Sequence, residues 1–111
     1  MGNADTELQR LRELAPAAEI WTEGGQAVAF LPDVEFRVGK ETATRDLLLW
    51  PRDRDSYNSR LFLSEPVTAA NAKNWKTFGI FGRTWHACSW QGVPNTLPWI
   101  EILANHLRAF Q

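Results

Sequence analysis

Val34-Glu35-Phe36-Arg37-Val38 alternates apolar and charged residues without a break. Successive side chains of a strand point to opposite faces, so Val34, Phe36 and Val38 share one face and Glu35 and Arg37 the other, as on a half-buried strand. A strand with one dry face needs a covering layer, and both ends of the chain offer one. Residues 5–15 set Leu8, Leu11 and Leu14 or Ala15 at helical spacing, and Thr6 with Gln9 forms a capping-box pattern. Pro16 ends that helix, because its ring removes a donor and pushes Ala15 away from helical angles. At the other end Ile100, Leu103, Leu107 and Phe110 recur at helical intervals, while Glu101, Asn105 and Arg108 face water. Asn95 or Thr96 can cap this second helix, and Pro98 suits its first turn.

Between the helices the chain reads as short strands. AEIWTEGGQAVAFLP, residues 18–32, is two apolar stretches around Gly24 and Gly25, which permit the positive φ of a tight hairpin turn. Gly39 and Lys40 turn the chain after Val38. RDLLLWP and SRLFLSEPV follow, separated by RDRDSYNS, whose Asp and Asn side chains favour turns. TAANAKNWK, residues 68–76, is compatible with a loop or a short helix. TWHACSW, residues 84–90, is rich in strand-forming side chains and short enough to be one extended segment before Gly92-Val93-Pro94. The expected fold is therefore α+β, one domain over residues 1–111: an N-terminal helix, an antiparallel meander of about four strands, an irregular cysteine-bearing segment and a C-terminal helix.

Twelve Lys and Arg against thirteen Asp and Glu give a formal charge of −1, with the two signs interspersed. Such a surface offers no general attraction to nucleic acid or anionic lipid. No apolar run approaches the roughly 20 residues that span a bilayer, and MGNADTELQR lacks the layout of a secretion signal, so a cytoplasmic protein is expected. The single cysteine, Cys88, forms no internal disulfide. One Cys and two His make a structural zinc site improbable, and no metal or organic cofactor is expected.

Three pieces of sequence, in order, resemble the ubiquitin-conjugating enzyme family. LQRLRELA is similar to its first helix, and LLLWPRDRDSYNSRLFLSEPV to its sheet segment, where a Pro ends one strand and a Tyr-containing turn leads to the next. ACSWQGVPNTLPWIEILANHL is similar to its cysteine segment and following helix. The family's His-Pro-Asn tripeptide is absent; Asn71 and Asn74 stand in unmatched contexts. His86-Ala87-Cys88 resembles instead the His-Pro-Cys motif of autophagy-type conjugating enzymes, and the short chain resembles the minimal conjugating enzymes of bacterial ubiquitin-like systems. The resemblance implies that Cys88 receives a ubiquitin-like protein from an activating enzyme as a thioester and passes it to an amine of a protein substrate. It also implies that the helix bearing Arg10 and Arg12 docks the activating enzyme.

That chemistry requires a thiol that is both nucleophile and leaving group. On an extended segment His86 and Cys88 share a face about 6 to 7 Å apart, near enough for the imidazole to bias the thiolate. His86, the Gln91 amide and backbone N–H groups near Cys88 are the candidate oxyanion donors. Other readings stand beside these. The alternative for Cys88, between Trp85 and Trp90, is a core filler, for Arg10 and Arg12 an ordinary solvated face, and for the six tryptophans mainly core. His106 is expected to face solvent. An inactive scaffold of the same fold, or an unrelated small α+β domain acting by contact, as an inhibitor or immunity partner does, are the alternative functions.

Overall fold

The computed structural model describes residues 4–111. Helix α1 spans Ala4–Leu11 and buries Leu8 and Leu11, one turn apart on the same stripe. It ends sooner than expected: Arg12 to Leu14 form a turn, and Ala15 N–H bonds back to Leu11 O at 2.8 Å. Ala15 takes the buried position and leaves Leu14 48% exposed. Thr6 lies inside the helix rather than at the capping position before it.

Six strands follow: β1 (Glu19–Glu23), β2 (Gln26–Val38), β3 (Glu41–Trp50), β4 (Arg60–Leu63), β5 (Lys73–Ile80) and β6 (Arg83–Ser89). They form one sheet in the order β1-β2-β3-β4-β6-β5, antiparallel at every pair. Helix α2 (Trp99–Leu107) and a 3₁₀ turn (Arg108–Phe110) close the described chain. No helix among the described residues is long and apolar enough to cross a membrane.

The expected ubiquitin-conjugating-like architecture with about four strands is thereby overturned. Residues 73–76, the end of the stretch expected as loop or short helix, open strand β5, and the cysteine segment is β6, lying inside the sheet between β4 and β5. The cause is the turn between them. Phe81 and Gly82 adopt φ of 55° and 71°, the left-handed pair of a two-residue hairpin, and they zip Ile80↔Arg83 through Thr77↔His86.

The Gly24-Gly25 and Gly39-Lys40 turns lie where expected, but β2 runs straight through Leu31-Pro32-Asp33 as a bulge. Asp33 sits at φ 53°, and its N–H donates to Asp46 Oδ1 at 2.9 Å. The side chain of Asp46 thus replaces the ladder partner that the extra residue loses.

Leu47, Leu48 and Leu49 are all fully buried, so β3 is covered on both faces there. Leu31, Leu47, Leu49, Leu61 and Leu63 pack with Leu8, Leu11, Ile102 and Leu103 on the helix side. Val28, Leu48, Trp50, Phe62 and Trp85 form the opposite core. Among the described residues no helix covers that second face; the sheet rolls over it. Trp21 of edge strand β1 meets Phe81, at the far end of the strand order, with ring centroids 5.0 Å apart. Trp85 is fully buried inside the roll, its Nε1–H donating to Ile80 O at 3.1 Å. Trp50 and Trp85 have the core role expected of them.

Candidate functional site

Alternation along β6 directs Trp85 and Ala87 into the aromatic core and His86 and Cys88 toward the helices. Cys88 is 8% exposed. Burial pushes its thiol above the ordinary cysteine range, an effect only partly opposed by a backbone hydrogen bond to the sulfur and then by the Arg60 guanidinium. His86 is half-buried, opposite Leu63 on one side and Thr77 on the other, with Nδ1 3.4 Å from Thr77 Oγ1. The two proposed catalytic side chains share a face, as expected. No hydrogen bond joins them among the described residues.

Strand β4 pairs with β6 only at Leu63↔His86, so the strands part on the Cys88 side. Polar side chains fill the fork. Arg60 is buried, with its guanidinium 3.9 Å from the Tyr57 ring centre and 3.6 Å from Asp55 Oδ2. Tyr57 O–H donates to Ser89 Oγ at 3.2 Å. Ser59 O–H donates to Val93 O at 3.0 Å, which leaves its oxygen to accept from His106 Nε2 at 2.9 Å. His106, expected to face solvent, is 4% exposed. Its apolar neighbours Ile102 and Leu103 place it on the buried stripe of α2. Burial and then the Arg60 charge lower its pKa to about 4, so the ring is neutral near pH 7.

Arg10 is exposed on α1 and Arg12 is exposed in the turn that follows it, so the helix does not carry both as expected; Arg12 Nε donates to Ala18 O at 3.0 Å and closes that turn.

A second site, not among the sequence candidates, lies beside β3. After Ser64, β4 cannot continue along β3, because Pro66 has no N–H for a ladder. The chain veers away and leaves the Glu41–Arg45 half of β3 bordered by a groove of about 700 Å³, walled on the far side by Pro66, Val67 and Thr68. Asp46 fixes which backbone groups face it. Its N–H donates to Ser64 Oγ and its C=O accepts from Ser64 N–H, so Asp46 turns toward the β4 side. Antiparallel strands alternate that direction residue by residue, and Thr44 and Thr42 therefore turn their N–H and C=O groups the same way, beyond the end of β4. Arg45 closes one end of the groove: Nε donates to Glu65 O, and its terminal nitrogens to Thr44 O and Pro66 O. Val38, Ala43 and Val67 pack against the helix-side core beneath. The legible signal was SEP, residues 64–66, directly after an apolar strand.

No protein-family model, no curated protein and no solved structure matches this chain.

Proposed function

We propose that this chain works by non-covalent contact, taking an extended segment of a partner protein as an added strand along the free half of β3. One arrangement carries the reading: beyond the end of β4, alternation along β3 turns the peptide groups of Thr42 and Thr44 outward beside a groove of about 700 Å³, with the Thr44 carbonyl already held by Arg45. Alternate residues of a strand repeat at roughly 6.8 Å, and another extended backbone presents donors and acceptors at that repeat. Cysteine chemistry has less support, since thioester formation needs a reachable thiolate and Cys88 is a buried thiol with a raised pKa. The reading belongs to the contact-protein class, with a cytoplasmic setting suited to the unpaired cysteine.

The test is an amide-shift titration of the ¹⁵N-labelled chain with the peptide Ac-Thr-Val-Thr-Val-Thr-NH₂. Shifts should be largest at Thr42, Thr44 and Val67. Thr44→Pro removes an outward donor without touching the β2 ladder and should abolish them, while Cys88→Ala should leave them intact. No shifts at millimolar peptide, or shifts centred on other strands, would overturn the reading.

A further inference from the structure

The groove also constrains the chemistry of its occupant. Resting on the edge-pairing reading, we infer that the segment runs antiparallel to β3 and carries an apolar side chain followed two positions later by a basic one.

The occupant takes the place β4 would have held had it continued, and β4 is antiparallel to β3, as is every other pair of the sheet. Antiparallel pairing is also the more stable per residue. A segment so placed has its N-terminal end near Arg45 and its C-terminal end near Glu41.

Ala43 faces the helix side, and Glu41, two residues away, shares that face. Ala43 is small, and beside it Val38 and Val67 complete an apolar floor. The residue opposite Ala43 therefore meets hydrocarbon and space for a branched side chain. Two charged residues line the groove, Glu41 and Arg45. Arg45 directs donors to three carbonyls and serves as the end wall. Glu41 is exposed and makes no ion pair among the described residues. A Lys or Arg directly opposite it forms the favourable cross-strand pair, whereas an acidic residue there is repelled. Read from N to C, the segment is apolar, any residue, basic.

The experiment uses three peptides in the same amide-shift titration: Ac-Thr-Val-Thr-Lys-Thr-NH₂, its counterpart with Glu in place of Lys, and the reversed Ac-Thr-Lys-Thr-Val-Thr-NH₂. The Lys peptide should bind about two- to fivefold tighter than the Glu peptide, the range expected of one cross-strand charge pair. Glu41→Lys should reverse that order, and the reversed peptide should bind more weakly than the first. Equal binding of the Lys and Glu peptides, with shifts still at Thr42 and Thr44, would overturn the basic-residue inference and leave edge pairing standing. Tighter binding of the reversed peptide would overturn the direction. Failure of all three to move those amides removes the edge reading itself, as does peptide-independent self-association through the same amides, which would make a second copy the occupant.

Discussion

Ser59 Oγ lies 2.9 Å from His106 Nε2, joining the approach to β4 to the last turn of α2 where both side chains are buried. The pair makes the fold sensitive to acid. His106 has a folded pKa of about 4 against an ordinary 6.5. Between those values the unfolded chain takes up a proton that the folded chain refuses, so stability is full above about pH 6.5 and falls as pH drops toward 4. The loss from this one group is about 3 kcal/mol. Urea unfolding at pH 7, 5.5 and 4 measures it, and His106→Gln should flatten that part of the profile.

Cys88 offers a direct chemical check. Its buried, protonated thiol should react with a disulfide reagent at least about tenfold more slowly in the native chain than in urea, with the native rate climbing only at alkaline pH. Fast native reaction at pH 7 would reopen the case for a working nucleophile. Cys88→Ala should cost about 1 kcal/mol, as for loss of one methyl-sized group from a core.

Trp85 is the largest of the fully buried side chains, so its truncation should be among the most damaging. Trp85→Ala should cost about 3–5 kcal/mol in denaturant titration, a large share of the total stability of a domain this size. Trp85→Phe keeps much of the ring but leaves Ile80 O without its donor. Its cost should be smaller, about 1–3 kcal/mol.

Asp46 separates two kinds of interaction in one residue. Oδ1 holds the bulge through Asp33 N–H at 2.9 Å, and Oδ2 accepts from Arg83 at 3.0 Å. The ion pair is partly exposed and is worth at most about 1 kcal/mol. The bulge bond keeps a left-handed Asp33 in register. Asp46→Ala should therefore destabilise more than Arg83→Met, by about 1 kcal/mol, in parallel thermal melts. Equal losses would show that the bulge holds without its carboxylate.

The parts of this fold legible in the sequence are those where one physical signal acts alone. Gly24-Gly25 and Gly39-Lys40 announce turns, and the leucines of α1 and α2 announce buried stripes. Strand β5 gives little signal, because as an edge strand it exposes Lys73, Asn74, Lys76 and Thr77 and buries only Ile80 fully. Its partner turn uses Phe81, a bulky residue in a conformation that favours glycine. Missing that hairpin placed Cys88 outside the sheet and lent weight to a family whose architecture the chain does not have. His106 was misplaced for a related reason: its buried hydrogen bond runs to Ser59, a partner that sequence spacing cannot reveal. The β3 groove depends on where β4 stops. Pro66 signals the stop, but what lies alongside is a tertiary fact.

The N–H of Gly39, at the β2–β3 turn, donates to Phe110 O at 2.8 Å. A ribosome making this chain releases the hairpin long before it releases Phe110. Until then the tip of that hairpin, which includes the Glu41 end of the open edge, has no latch. Nascent chains therefore spend part of their synthesis with this ribbon unfastened, when a chaperone or a neighbouring nascent chain has its easiest access.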